Sequence, residues 1–370
     1  YETAPPGIDI WHGTFEPRYY NYGIADGKGN ADRRGTRPSD YYTNVVTDYA
    51  TKTIRRELGG KRKRRPLYMT VNNLAPHTGA GQGGRCSDLV VPAPRDEDAF
   101  ADATIPRTAS YNEGDVSDKP PFVPSHTLRK DRVEKLDLAY GCRLASLQAV
   151  DRGVAEMYEA VKREGELDNT VFFFTSDNGI LQGQHRLGGK NVPYEEGIRM
   201  PLVVFGGEDA LGGSTVPEVS QLTANIDLAP TILELAKAKP CARPGNCRRP
   251  DGLSLLPLMR DGEARGFDDE REILIEGGKT RSDCLYAGVR TADLVYIEHA
   301  EAGAGACDRD AETELYDLSG ALTGNADPGQ LDNLTSETVP ASQEQRVIQE
   351  VRRLARRTLA LRRCDGKSCR

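Results

Sequence analysis

The chain has 370 residues, with 49 Lys and Arg against 56 Asp and Glu, so its formal net charge is −7. That balance argues against a nucleic-acid-binding protein, which needs a basic face for the phosphate backbone. Hydrophobic residues make up 38 % of the chain and can build a substantial core, but no apolar run approaches the roughly 18 residues of a membrane span.

The N-terminal third combines loops with one helix. Residues 1–39 are rich in Tyr, Gly and Pro and are predicted to be loops, with Trp11, His12, Tyr19 and Tyr20 as packing or pocket residues. Apolar residues at near-helical spacing predict a helix over 40–58. The basic run that follows, 61–65, is predicted to be a solvated turn.

A short strand over 66–71 is predicted next, and it would deliver His77 to its carboxyl end. Residues 79–124 form a polar excursion broken by Pro and Gly. Loops of that length in a compact domain are usually functional or disordered. We interpret this one as functional.

The middle of the chain predicts an α/β fold. Apolar residues recur every three or four positions from 129 to 166, which indicates one long helix, or two broken near Gly141 or Gly153. Strands are predicted at 170–175 and 201–205, and a helix at 227–237. Helices alternating with strands favour a doubly wound mixed sheet flanked by helices.

The C-terminal region has a different pattern. Alternating apolar runs and a final helix over 342–362 predict a small antiparallel sheet plus helix; the runs lie at 272–275, 284–289, 294–298 and 314–318. We therefore predict two domains, 1–260 and 261–370.

The eight cysteines suggest an oxidising compartment. Cys241 and Cys247 flank a short loop, as do Cys364 and Cys369, and Cys284 and Cys307 bracket a predicted hairpin. Close pairs outside any metal-ligand spacing favour disulfides, with free buried thiols as the alternative. Whether Cys86 and Cys142 form a fourth pair stays open. A secreted, periplasmic or extracellular location is expected.

The segment 175–205 holds the strongest functional signal. The predicted strand 170–175 is apolar and should be buried, and it ends at Ser176-Asp177-Asn178-Gly179. Asp177 and Asn178 offer hard oxygen donors suited to Ca²⁺ or Mg²⁺, at the end of a strand where open α/β sheets place their chemistry. Lys190 follows and could hold an anionic substrate, while Glu195 and Arg199 are predicted to pair and fix its loop. The alternative for Asp177 and Asn178 is an Asx turn that closes the strand.

These motifs resemble the formylglycine-dependent sulfatases of the alkaline-phosphatase-like superfamily, and most closely the N-acetylglucosamine-6-sulfatase branch. The resemblance covers nearly the whole chain. It rests on the Asp177–Lys190 region and on seven further motifs in order: Ala75-Pro76-His77, Asn112–Pro120, Asn225–Leu233, Asp251–Pro257, Glu314–Leu318, Asp327-Pro328 and Asp332–Leu334. Because it persists through residues 79–124, the resemblance implies that this excursion faces the substrate. It would also suit the alternative for the basic run 61–65, a binding surface for a sulfated polymer.

The resemblance implies roles for these residues. Asp177 and Asn178 would bind one Ca²⁺ together with an Asp pair, and Lys190 would contact a sulfate oxygen. His77 would be the general acid that protonates the leaving alcohol. His185 would line the pocket or orient Glu195 or the backbone, and Trp11 and His12 would form part of the sugar pocket.

The nucleophile of this family is absent from the chain. It is a Cys or Ser in a C/S-x-P/A-S-R context, converted to formylglycine and preceded by an Asp pair after the first strand. None of the eight cysteines has that context, and the adjacent pair Asp268-Asp269 has no strand before it. The chain also opens on Tyr1. We expect it to be the C-terminal majority of a sulfatase, lacking the N-terminal strands, half of the calcium site and activity on its own.

Sulfuric ester hydrolysis of a glucosamine 6-sulfate type sugar or of an aryl sulfate is the expected function of the longer protein. One alternative is a phosphate or phosphonate ester hydrolase of the same superfamily, against which Asn178 speaks, since a two-metal site would have His there. The other alternative is a non-catalytic protein on the same scaffold that binds sulfated glycans. The oligomeric state is left open.

Overall fold

A computed structural model describes residues 3–59, 66–79, 84–238, 250–268, 270–278, 284–300, 312–336 and 339–363. Their contacts divide the chain into two units: unit 1 contains residues 1–106 and 129–170, and unit 2 contains residues 107–128 and 171–370. The predicted domain boundary at residue 260 falls inside unit 2.

Two helices dominate unit 1. Helix α1 spans Tyr42–Leu58 and α2 spans Lys130–Arg163, which confirms both predicted helices. The second is a single helix of 34 residues. Its two glycines mark close approaches, because a Cβ on Gly141 would lie 2.5 Å from the Phe100 carbonyl oxygen and one on Gly153 would lie 2.4 Å from Thr47 Oγ1.

The rest of unit 1 is short strands and loops around a tyrosine-rich core. Strands β1 (Gly13–Phe15), β2 (Gly23–Ala25) and β3 (Ala31–Arg33) form an antiparallel sheet. The strand predicted at 66–71 is wrong, since this segment has no strand pairing in the structure. Its apolar residues resemble a strand, but strand formation also needs a neighbour for its backbone groups.

Two strands from the middle of the sequence form a sheet in unit 2. They are β4 (Val171–Thr175) and β7 (Leu202–Gly206), and they pair antiparallel. Their positions confirm the predicted strands. The burial predicted for β4 is wrong, because Phe174 is 40 % exposed; its register partner on β7, Val203, is 51 % exposed. Among the described residues these strands pair only with each other, so part of their apolar surface stays uncovered.

The C-terminal part of unit 2 is a four-stranded antiparallel sheet in the order β11-β10-β9-β8. Its strands are β8 (Ile273–Gly278), β9 (Cys284–Arg290), β10 (Leu294–His299) and β11 (Thr313–Asp317). Helix α7, Ala341–Arg363, packs its buried Val347, Leu354 and Leu361 against this sheet. The predicted small sheet plus helix is therefore confirmed.

Short elements connect these parts of unit 2. They are the hairpin strands β5 (Leu181–Gln182) and β6 (Gly188–Gly189), and the helices α3 (Glu195–Ile198), α4 (Glu208–Leu211), α5 (Leu228–Leu235) and α6 (Leu256–Asp261). Helix α5 confirms the helix predicted over 227–237.

Cys86 and Cys142 form a disulfide within unit 1, and Cys284 is disulfide-bonded as well. The other five cysteines lie outside the described residues: Cys241, Cys247, Cys307, Cys364 and Cys369. The basic run 61–65 and Asp269 also lie outside them. None of the described helices is long and apolar enough to cross a bilayer.

Candidate active site

Asp177, Asn178 and Lys190 come together in unit 2 just beyond the end of β4. Ser176 Oγ donates to the Asn178 carbonyl at 2.9 Å, and Asn178 Nδ2 donates to the Gly179 carbonyl at 2.8 Å. The turn requires glycine at 179, because a Cβ there would lie 2.0 Å from the Glu196 carbonyl oxygen. Lys190 Nζ then donates to Asn178 Oδ1 at 3.2 Å, so the structure places the lysine beside this turn.

The oxygen donors of this cluster are suited to part of a calcium site. Asp177 is exposed, and its carboxylate receives no hydrogen bond from any residue that the structure describes. Asn178 is partly buried, and its Oδ1 accepts a hydrogen bond from the exposed Lys190. Ca²⁺ takes six to eight such ligands, and within the described ranges no group of three His, Cys, Asp or Glu could hold a metal. Asp177 and Asn178 could thus supply two ligands of a larger set.

A strained turn precedes Lys190. His185 and Arg186 both have positive φ, at 50° and 60°, in the left-handed region that non-glycine residues rarely adopt. They join β5 to β6, and Lys190 follows β6 directly. The Arg186 guanidinium is buried and donates to four backbone carbonyls, those of Glu113, Gly114, Pro124 and Ser125.

His185 itself is fully buried. Its Nδ1 lies 2.7 Å from Glu113 Oε2, and its ring stacks on Tyr194 with centroids 4.2 Å apart. Glu113 also lies 3.4 Å from the buried Lys119 ammonium. A ring enclosed in this way does not face an open pocket, so the structure supports the orienting alternative for His185 rather than direct contact with a substrate.

A second buried cluster adjoins Tyr194. Its hydroxyl donates to Glu314 Oε2 at 3.0 Å, and the same carboxylate is bonded by Tyr316 and His299. Burial raises the pKa of Tyr194, and the neighbouring Glu314 carboxylate raises it further. These phenols therefore remain protonated donors at all physiological pH values.

The predicted pair of Glu195 and Arg199 is wrong. Glu195 instead pairs with Arg290 on β9, with Nε 2.9 Å from Oε1. Helix α3 ends at Ile198 and Arg199 is extended, with φ −90° and ψ 108°. The two side chains therefore do not share a helix face, on which residues four apart can pair.

His77 belongs to unit 1, where the backbone on both sides of it is anchored. The Tyr19 hydroxyl donates to the His77 carbonyl at 2.8 Å, and Arg143 Nη1 donates to the Pro76 carbonyl at 2.6 Å. His77 Nδ1 lies 2.6 Å from the Thr78 carbonyl. A carbonyl only accepts, so Nδ1 carries a proton and Nε2 is left as the second ring nitrogen of this exposed residue.

Trp11 and His12, also in unit 1, are partly buried and exposed respectively. The His12 ring stacks on Tyr49 of α1 with centroids 4.1 Å apart, and burial lowers its pKa. Their assignment to a sugar pocket stays a prediction.

The sequence did not single out the residues that support these side chains. Glu113 and Lys119 lie inside the matched motif Asn112–Pro120, but no role was assigned to them. Tyr19 was predicted only as a packing or pocket residue and Arg143 was assigned no role, since each acts through a backbone carbonyl far away in sequence. Only the three-dimensional structure shows these contacts.

Comparison with known proteins agrees with the geometry. The Sulfatase family model matches residues 9–238. Arylsulfatase of Volvox carteri is 28 % identical over 100 % of this chain and 58 % of its own length. N-acetylglucosamine-6-sulfatase of Homo sapiens is also 28 % identical, over 100 % of the chain and 65 % of its own length. This chain thus spans 58 to 65 % of the length of these curated relatives.

The fold also has a solved counterpart. The crystal structure of BT4656 in complex with its substrate D-glucosamine-2-N,6-O-disulfate has a TM-score of 0.67 and 20 % identity, and it covers 95 % of this chain and 76 % of that one. The predicted sulfatase-like α/β fold is therefore confirmed, and the chain belongs to the sulfatase family.

Proposed function

We propose that the protein containing this chain hydrolyses sulfuric esters, acting on a sulfated sugar of the glucosamine 6-sulfate type or on an aryl sulfate. The observation that carries the proposal is the cluster at the end of β4, in which the Lys190 ammonium lies 3.2 Å from Asn178 Oδ1. Asp177 is adjacent in sequence and exposed, and no described residue forms a hydrogen bond or an ion pair with its carboxylate. A cation and a pair of hard oxygen donors together suit a metal-assisted reaction on an anionic ester.

Each residue of the cluster has a distinct role in this proposal. Asp177 and Asn178 hold a Ca²⁺ ion, which neutralises negative charge on the sulfuryl group. Lys190 binds a sulfate oxygen and stabilises the charge that builds up on it in the transition state. Further calcium ligands, an Asp pair, and the formylglycine nucleophile derived from Cys or Ser are assigned to parts of the native protein outside this chain.

His77 supplies the proton for the leaving group. Because Nδ1 donates to the Thr78 carbonyl, the protonated ring presents its second N–H from Nε2. Protonation matters most for a sugar alcohol, which is a poor leaving group, and least for an acidic phenol. The substrate partner is thus a sulfated carbohydrate or an aryl sulfate. Export to an oxidising compartment is proposed as well, supported by the Cys86–Cys142 disulfide.

The test uses the complete native protein with 4-nitrophenyl sulfate and glucosamine 6-sulfate as substrates. Lys190→Ala should lower kcat/KM about 100- to 1000-fold on both, the usual loss of one transition-state charge contact. Lys130→Ala, another exposed lysine, is the matched control and should leave kcat/KM unchanged. His77→Ala should cost much more on the sugar than on the phenyl ester.

Two results would overturn the proposal. The first is faster turnover of 4-nitrophenyl phosphate or a phosphonate ester than of the sulfate, which would favour the phosphoesterase alternative. The second is calcium-independent binding of a sulfated glycan without any turnover, which would favour the binding protein. Removal of Ca²⁺ by EGTA should instead abolish hydrolysis, and added Ca²⁺ should restore it.

A further inference from the structure

We propose that His185 is a positioning residue which, through Glu113, holds the turn before Lys190 in the conformation that places the lysine ammonium beside Asn178. The inference rests on the proposed sulfatase function, and it assigns to His185 a role that needs no contact with the substrate. The support comes from the burial of His185, from the backbone conformation of the turn and from His185 Nε2, which has no hydrogen-bond partner.

The residues of the turn do not favour its backbone conformation by themselves. Two consecutive non-glycine residues, His185 and Arg186, occupy the left-handed region, which is strained and persists only where the surroundings enforce it. Because Lys190 lies four residues after Arg186 and directly after β6, relaxation of this turn would redirect the lysine.

The surroundings that enforce the turn come from residues 107–128. The His185 amide donates to the Ser110 carbonyl at 2.7 Å, and the Asn112 amide donates to the Gly183 carbonyl at 2.8 Å. Arg186 adds four bonds to carbonyls of the same segment. The His185–Glu113 contact, at 2.7 Å, is the one contact of this group between two side chains.

Both carboxylates that face His185 are themselves held in place. Glu113 lies 3.4 Å from the Lys119 ammonium, and we assign its Oε2 as the acceptor of the hydrogen bond from His185 Nδ1. On the other side of the ring, Glu196 Oε2 lies 3.8 Å from Nε2, and Glu196 Oε1 accepts a bond from Ser110 Oγ at 2.7 Å. Nε2 is buried without a hydrogen bond. An imidazole fixed on one nitrogen and confined on the other has a single orientation.

A merely structural role is the alternative, and unit 2 contains a matched control for it. His299 on β10 is also buried and also paired with a carboxylate, that of Glu314. It lies on the C-terminal sheet and has no hydrogen bond to the turn before Lys190. A general loss of packing should therefore affect His185→Ala and His299→Ala alike, whereas positioning of Lys190 should distinguish them.

The experiment is a double-mutant cycle in the complete native protein, measured well below the melting temperature of every variant. We expect His185→Ala to lower kcat/KM for 4-nitrophenyl sulfate about 10- to 100-fold, the scale of a displaced catalytic group. His185→Asn, whose amide can still donate to Glu113, should recover most of the loss, and His299→Ala should stay within about twofold of wild type.

The decisive comparison is the Lys190→Ala background. If His185 acts through Lys190, adding His185→Ala there should cause no further loss. An equal further loss in that background, or an equal effect of His299→Ala in the wild-type background, would refute the assignment.

Hydrogen exchange tests the positioning role of His185 independently of the proposed sulfatase function. His185→Ala should accelerate amide exchange in residues 181–190, and His299→Ala should not. If the wild-type protein turns over no sulfate ester, this measurement still decides the positioning role, and unchanged exchange in residues 181–190 would overturn it.

Discussion

The Cys86–Cys142 disulfide connects the segment after His77 to helix α2, and its removal gives the sharpest stability prediction. Both sulfur atoms are buried in the core of unit 1, in one cluster with Tyr19 and Ala75. Replacing both cysteines by alanine removes the cross-link without leaving an unpaired buried thiol. We expect a large loss in the free energy of unfolding of unit 1.

The magnitude follows from the length of the closed loop. The two cysteines are 56 residues apart in sequence. The chain-entropy expression gives a closure entropy of about 14 cal/mol/K for a loop of that size, or about 4 kcal/mol at 25 °C. Loss of the two sulfur atoms from a packed core acts in the same direction.

Urea unfolding followed by tryptophan fluorescence measures this loss. Trp11 is the one tryptophan of the chain and lies in unit 1, so its emission reports on the unit that contains the disulfide. The control is the same comparison in reducing buffer, in which the wild type also loses the cross-link and most of the difference should vanish. Since Cys284 is also disulfide-bonded, its reduction affects both proteins equally.

A difference below about 1 kcal/mol in non-reducing buffer would refute the loop-closure reasoning. So would a difference that persists unchanged under reduction, because it would then arise from the core packing of the cysteine side chains rather than from the cross-link.

Two further predictions concern tyrosines. Tyr19→Phe removes the donor to the His77 carbonyl and should cost about 1 kcal/mol of unfolding free energy. If it also displaces His77, it should lower kcat more for glucosamine 6-sulfate than for 4-nitrophenyl sulfate; equal losses on both esters would limit Tyr19 to a structural role. Burial raises the pKa values of Tyr19, Tyr41, Tyr194 and Tyr316, so the folded state keeps protons that the unfolded chain loses above about pH 10. These tyrosines should therefore leave stability unchanged below pH 10 and lower it above that pH, by about 1.4 kcal/mol per pH unit for each of them. Absorbance at 295 nm should show them ionising only with unfolding, and early, reversible ionisation in the folded protein would contradict this.

The periodicity of apolar residues correctly predicted the long helices. The apolar periodicity of α1, α2 and α7 was sufficient because each helix forms its hydrogen bonds within its own segment. The segment 66–71 shows the limit, since a strand exists only with a partner that sequence alone does not reveal. The same limit explains Phe174 and Val203, whose exposure depends on which strands lie beside β4 and β7.

In the candidate site, contacts between residues close in sequence could be predicted and contacts between distant residues could not. Asp177, Asn178 and Lys190 lie within one short segment and form a recognisable motif, so their proximity was predictable. Glu195 was assigned the wrong partner because its actual partner, Arg290, is 95 residues away in sequence. Glu113, likewise, is 72 residues from His185. Pairs of that kind leave no periodic signal in a single sequence.

The buried polar groups of unit 2 are better explained by geometry than by stability. Glu314 is fully buried and accepts from Tyr194, Tyr316 and His299. Replacing such a cluster by apolar residues of similar volume is often neutral or stabilising, so stability alone does not account for it. What a satisfied network offers is directional bonding, which permits one arrangement of the chain where apolar packing would permit several. All three bonds converge on one carboxylate, so the cluster fixes Tyr194 relative to strands β10 and β11.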